Sequence, residues 1–308
     1  MADRTAVLLL AHGTPDSVEE VPEYLRNVTG GRPLPEAVIE EVRHRMQAIG
    51  KSPLTRLTLE QGRLLAERLN VPVYVGMRNW RPYIADVVAQ MAEERMTSVV
   101  VICLAPQNSR TSVGLYKRAV LQAAGSRMKI HFVEGWANHP QLIEAFAERL
   151  APVWRKLSDQ LKTRVPVVFT AHSVPCRTIQ HSPEQPPDPY AVEAKLTARL
   201  VAESLAELCP WYFAFQSQGM SGGPWLGPTV EETLLALQQE GHRAAIIQPI
   251  GFLCDHVEVL YDIDIAFREH AKTLGMHLER PPSLNDSPLL ISALADIARQ
   301  GLARLASL

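Results

Sequence analysis

Short apolar runs rich in β-branched residues alternate along the chain with longer stretches of helical periodicity. Continuous apolar runs at 6–11, 72–76, 98–104, 129–133, 166–171, 212–216 and 244–249, bounded by turn residues, predict strands buried on both faces. Between them, amphipathic spacing predicts helices over 17–28, 35–49, 55–69, 83–95, 112–125, 140–157, 189–208, 229–241 and 256–274. A last helix over 287–305 follows a breaker segment that carries Pro281, Pro282 and Asn285. Regular strand–helix alternation predicts an α/β architecture with parallel sheets flanked by helices and right-handed crossovers.

An internal echo predicts two similar halves. Ala6-Val7-Leu8-Leu9-Leu10-Ala11-His12-Gly13-Thr14-Pro15 resembles Val167-Val168-Phe169-Thr170-Ala171-His172-Ser173-Val174-Pro175, each an apolar strand ending in Ala-His, a small residue and a proline. Four strands are expected before residue 140 and three after 160, with the helix from 140 joining the halves. Open α/β sheets bind ligands outside the carboxyl ends of their strands. His12, His172 and the residues following 98–104 and 244–249 are therefore expected to converge on a cleft between the halves.

Composition narrows the class. The 308 residues are 46% hydrophobic and 21% charged, enough apolar content for a substantial core and too much for wholesale disorder. With 31 basic against 33 acidic side chains, the net charge of −2 gives no electrostatic case for nucleic acid. No apolar run approaches the roughly 20 residues that span a bilayer, and the N-terminus lacks a signal-peptide cleavage pattern. A soluble, cytoplasmic protein without a transmembrane segment is expected. Cys103, Cys176, Cys209 and Cys254 show no CxxC or CxC spacing, so the expectation is buried reduced thiols and no iron–sulfur cluster.

Three motif matches fail on context. Gly50-Lys51-Ser52 ends like a phosphate-binding loop, but Arg45 stands where its leading glycine is required. No GxGxxG follows a strand. Gly219-Met220-Ser221-Gly222-Gly223 matches GxSxG, yet Pro224, Gly227 and Pro228 break the helix that a nucleophile elbow needs after its serine.

The segment from Pro249 to Asp264 carries more chemistry. A helix beginning near Asp255 would set Asp255, Glu258 and Asp262 at i, i+3 and i+7, stacking three carboxylates on one face. Such a stack needs a cation, protons or solvent to offset its repulsion. Asp255 has an alternative role as helix cap. Glu258 sits among Val257, Val259 and Leu260, where a simply solvated carboxylate is less expected. His172 ends an apolar strand in the same half of the chain. An imidazole facing a carboxylate suits proton transfer or binding of a borderline divalent metal.

These residues and others, taken in order, resemble the ferrochelatases, class II chelatases that insert ferrous iron into a porphyrin. The resemblance rests on Ala11-His12-Gly13-Thr14-Pro15, Gly76-Met77-Arg78-Asn79-Trp80-Arg81-Pro82-Tyr83, Leu104-Ala105-Pro106 with Ser109 and Tyr116, and Thr170-Ala171-His172-Ser173-Val174-Pro175. It continues through Asp188-Pro189-Tyr190, Phe215-Gln216-Ser217, Pro224-Trp225-Leu226-Gly227-Pro228 and Gly251 to Asp262, and so covers nearly the whole chain. It implies a chelatase-like fold of two Rossmann-like domains, at 1–145 and 146–308, with the final helix packing back across their interface.

The resemblance also implies His172 and Glu258 as the catalytic, metal-handling pair, with Asp255 and Asp262 as a supporting acidic face. His12 is implied as a metal contact on the opposite ring face and as a substrate contact, with Arg45, Ser52 and Tyr116 as further substrate contacts. The short length and the Tyr24-Leu25-Arg26-Asn27-Val28-Thr29 pattern are most like the bacterial coproporphyrin III ferrochelatases. Implied partners are a porphyrin and ferrous iron, with transient contacts to other haem-pathway enzymes and no cofactor beyond the iron itself.

Several positions depart from that pattern. His12 stands where many coproporphyrin enzymes have tyrosine, Met46 where another tyrosine is frequent, and Thr29 and Gly30 where an arginine often sits, with Arg32 nearby. Gly50-Lys51 replaces the usual Gly-Gly, and Ala266 an acidic residue. The alternatives are protoporphyrin IX as substrate, a cobalt chelatase acting on a corrin precursor, and a non-enzymatic carrier of tetrapyrrole or metal.

Overall fold

A computed structural model of the chain describes residues 4–179, 186–205, 207, 209–219 and 222–307. Ser221 of the GxSxG match lies outside them. Among the described residues, eight strands form two parallel sheets of four. The first contains β1 (Thr5–Ala11), β2 (Val73–Met77), β3 (Ser98–Cys103) and β4 (Lys129–Val133), in the order β2-β1-β3-β4. The second contains β5 (Val167–His172), β6 (Trp211–Gln216), β7 (Ala244–Pro249) and β8 (His277–Glu279), in the order β6-β5-β7-β8. The two orders are the same, so β1 and β5, whose sequences echo each other, occupy equivalent positions. In each sheet the chain reverses direction of growth beside that strand, which opens a crevice at its carboxyl end.

Burial explains why these runs become strands. Ala6 through Leu10 and Val167 through Phe169 are fully buried, covered by helices on both faces of each sheet. One hydrophobic core joins the inner faces of both sheets through Phe146, Leu150 and Trp154 of the long Pro140–Leu161 helix. The closing helix, Pro288–Ala306, lies against that helix and also against β3 and β4 of the first sheet. Gly301 permits the approach: a Cβ there would sit 2.6 Å from Val100 Cγ1 and 2.9 Å from His131 Cδ2. The C-terminal end of the sequence thus covers the N-terminal sheet.

Two of the differences from the sequence reading fall in or beside the second sheet. The second half has a fourth strand, β8, too short at three residues to register as an apolar run. The single helix expected over 256–274 is instead an α-turn at Val257–Leu260, a π-helix at Asp262–Phe267 and an α-helix at Arg268–Thr273. The π segment arises where the Ala266 N–H donates to the Tyr261 carbonyl five residues back, at 2.9 Å. All four cysteines are free, three of them buried. Among the described residues no helix is long and apolar enough to cross a membrane.

Candidate active site

The carboxyl ends of the central strands deliver side chains to one cleft. His12 follows β1, Arg78 follows β2, Leu104 and Ala105 follow β3, His172 ends β5, and Gly251 through Cys254 with His256 through Glu258 follow β7. Together they line a cavity of about 350 Å³ set in about 1400 Å³ of open cleft, within the range of roughly 300–1,000 Å³ usual for small-molecule sites. Close packing permits the convergence. Gly251 sits where a Cβ would lie 3.1 Å from the Cβ of Ala171, so the β7 loop lies directly on the end of β5.

His172 and Glu258 face each other there, with Nε2 3.7 Å from Oε1. The other ring nitrogen of His172, Nδ1, donates to the Ser173 carbonyl, which fixes the tautomer and turns Nε2 toward the carboxylate. A second imidazole does the same. His256 Nδ1 donates to the Cys254 carbonyl at 2.9 Å, and its Nε2 lies 3.8 Å from Glu258 Oε2. Both separations exceed a direct hydrogen bond. With each Nδ1 carrying the proton, nitrogen lone pairs face carboxylate lone pairs, an arrangement that a proton or a cation between them relieves. Burial pushes the Glu258 carboxyl up, but the positive charge that His172, and then His256, carries when protonated outweighs it and holds the carboxyl at about 2.

The backbone around the pair is tied down. The Tyr190 hydroxyl donates to the His172 carbonyl at 2.9 Å, and Gln216 Nε2 donates to the Glu258 carbonyl at 3.0 Å. Gln216 is in turn held by the Thr170 hydroxyl at 2.6 Å. These bonds hold the imidazole and carboxylate without touching their reactive atoms.

His12 stands on the opposite wall. Its Nε2 lies 2.9 Å from the Tyr24 hydroxyl, and the Asn79 amide nitrogen is within 3.2 Å of both ring nitrogens. Burial, reinforced by the nearby Arg78 charge, lowers its pKa to about 4, so the ring is neutral near pH 7. Burial raises the pKa of the Tyr24 phenol, which stays protonated and able to donate. A neutral imidazole offers one lone pair, and two protein donors compete for it.

The neutral His12 makes acid stability testable. The unfolded chain binds this proton near pH 6.5 and the folded chain only near 4. The contribution is therefore intact above about 6.5 and declines by roughly 1.4 kcal/mol per pH unit as pH falls toward 4. Urea unfolding of wild type and His12→Gln at pH 7 and 5 checks this; the variant is expected to lose less stability on acidification.

Not every residue singled out in the sequence reaches the cavity. Tyr116 lines it, with Arg78 over its ring at 5.4 Å. Arg45 is held between Glu41 at 2.8 Å and Asp262 at 3.1 Å. Ser52 is buried, accepts a hydrogen bond from Thr14 at 3.1 Å, and lines a separate shallow cleft with Asp16 and Lys51. Asp255 precedes the α-turn, whose N-cap is His256, so it does not share a helix face with Glu258. Its carboxylate instead accepts from Ser283 and Asn285 at 2.7 and 2.9 Å and pairs with Arg280 at 3.3 Å, anchoring the loop before the last helix. Asp262 is buried just outside the cavity, accepting a 2.5 Å hydrogen bond from Ser217. Burial raises its pKa, and the Glu258 charge adds to that. Met46 is packed with Val21 and Leu25 in a small core between the first helices.

Among the cavity-lining residues not singled out as site candidates are Tyr24, Arg78 and His256. Arg78 had a readable signal, a cation directly after an apolar strand. His256 did not, because a helix from 255 would turn it away from Glu258. Its extended backbone (φ −161°, ψ −177°) brings it alongside.

Comparison with known proteins adds a family. A family description named Ferrochelatase matches residues 4–302. A protein named Ferrochelatase from Acidobacterium capsulatum is 65% identical, covering 99% of this chain and 97% of that protein. Coproporphyrin III ferrochelatase of Geobacillus kaustophilus is 32% identical over 96% of each chain. Among solved structures, SirB from Bacillus subtilis with Fe3+ matches 99% of this chain and 98% of its own, with a TM-score of 0.60 at 12% identity, a likeness of fold.

Proposed function

This chain belongs to the ferrochelatase family, enzymes that insert ferrous iron into a porphyrin in haem synthesis, and from that membership we propose that it acts on coproporphyrin III through His172 and Glu258. The observation that carries this reading is the set of His172 Nε2, His256 Nε2 and the Glu258 carboxylate, facing one another at 3.7 and 3.8 Å on the cleft wall.

Insertion replaces two pyrrole protons with one Fe2+, and the iron stays ferrous. A flat macrocycle points its N–H bonds inward, where a base on either face reaches them poorly. Bending the ring in the cleft turns N–H groups toward one face and lone pairs toward the other, a distortion supported by binding energy from the ring's periphery. His172 and Glu258 then serve the face they occupy. The carboxylate stays ionised, and the fixed His172 tautomer presents a lone pair able to take a proton or contact iron. His12 contacts the opposite ring face, held by Tyr24 and Asn79. Tyr116 supports the macrocycle wall, and Asp262 is tied to Arg45 and Ser217 just outside the cavity. The reading needs no cofactor beyond the iron being inserted.

Coproporphyrin III carries four propionates and protoporphyrin IX two. The preference for four is supported by the polar wall of Arg78, Ser109, Thr111 and Ser112 in the cavity. Anaerobic assays with each porphyrin and ferrous iron test it. A kcat/KM at least tenfold higher for coproporphyrin III is expected. Equal values, or a higher one for protoporphyrin IX, reject the preference while leaving the family activity intact.

A further inference from the structure

Arg78 is the one arginine or lysine among the residues that line the cavity. It is half-buried, and its Nε is buried without a hydrogen-bond partner among the described residues. Its guanidinium lies over the Tyr116 ring at 5.4 Å, a contact that orients the plane and leaves the N–H edges unspent. Two other half-buried guanidiniums near the cleft are paired with carboxylates. Arg280 is clamped by Asp264 at 2.7 Å and Asp255 at 3.3 Å, and Arg45 by Glu41 and Asp262. A guanidinium withdrawn from water without a carboxylate is costly unless an anion arrives to meet it.

The surroundings favour a carboxylate as that anion. Tyr116 belongs to the first turn of the Val113–Ala124 helix, whose N-cap, Ser112, makes no side-chain capping bond. Ser112, Thr111 and Ser109 line the same cavity as Arg78 and supply hydroxyl donors to it. A planar guanidinium beside hydroxyls and the start of a 12-residue helix recognises a carboxylate through charge-assisted hydrogen bonds. Of the donors marked from the sequence, Arg45 is already paired with Glu41 and Asp262, and Ser52 lines a separate cleft.

We propose that Arg78 is the carboxylate anchor of the cavity, binding a propionate of the tetrapyrrole. The inference rests on the reading of this cleft as the porphyrin site.

Binding of metal-free porphyrin, followed by fluorescence, tests it without iron insertion. Coproporphyrin III and its tetramethyl ester are titrated, in one detergent buffer, into wild type, Arg78→Gln and Arg78→Lys. Arg78→Gln is expected to weaken binding of the free acid at least about tenfold, as loss of a charge-assisted hydrogen bond would. The ester is expected to bind wild type and Arg78→Gln within twofold of each other, and Arg78→Lys to recover part of the affinity for the acid. Equal affinity of wild type and Arg78→Gln for the acid overturns the proposal. So does an equal loss for acid and ester, which would mark Arg78 as support for Tyr116 only. If Arg78→Gln does not fold, as read by circular dichroism, the Lys variant decides: weaker binding of the acid with the ester unchanged supports the anchor, and equal effects on acid and ester contradict it. Wild-type turnover with ferrous iron separately decides the functional reading, so the two can fail independently.

Discussion

Alanine at His172 is expected to slow ferrous-iron insertion by at least about a hundredfold, the scale of losing a positioned proton-transfer group, while metal-free porphyrin still binds. The substitution removes Nε2, the atom facing Glu258, and leaves its scaffold. The Tyr190 hydroxyl bonds the backbone carbonyl of residue 172, and β5 keeps its register with β6 and β7. The imidazole is 36% exposed, so its removal opens no large core cavity. Anaerobic single-turnover absorbance measures the rate, and circular dichroism with porphyrin fluorescence verifies fold and binding. A rate within a few-fold of wild type would remove His172 from the chemistry.

Glutamine at Glu258 is expected to cost at least as much, though it preserves size and nearly all contacts. The Gln216 bond is to the residue 258 carbonyl and survives. What disappears is the negative charge between two imidazoles, which attracts Fe2+ and stabilises the positive charge that builds on His172 as it takes a proton from the ring. The carboxyl, held at about 2, is ionised at every pH where the enzyme can be assayed, so rate loss in Glu258→Gln should be nearly constant from pH 6 to 9. A variant that regains wild-type rate at any pH in that range would contradict the need for this charge. The same single-turnover assay, repeated across pH, reads it.

The strands were legible because β-branched runs buried on both faces have few alternatives, and seven of the eight appeared within about a residue of their ends. β8 was not, since three residues carry no periodicity. The shared Ala-His strand ending pointed to His12 and His172, because open sheets display ligands at carboxyl ends. Glu258 stood out as a charge within an apolar segment. The wide π turn at Asp262–Phe267 was invisible to a 3.6-residue template, and with it the true start of the helix after His256. That error put Asp255 on a shared carboxylate face and hid His256. Arg45 was marked as free for substrate because Asp262, its partner 217 positions away, cannot be paired with it from local pattern. Long-range ion pairs decide which cations remain available, and sequence spacing carries no record of them.

The claim that one imidazole and one carboxylate act as a unit is tested most directly by the single-turnover rate of His172→Ala/Glu258→Gln beside each single variant. Groups sharing one step are strongly non-additive, so the double variant is expected to be about as slow as the slower single one. Multiplication of the two losses would mean that the residues serve independent steps and would contradict the paired arrangement.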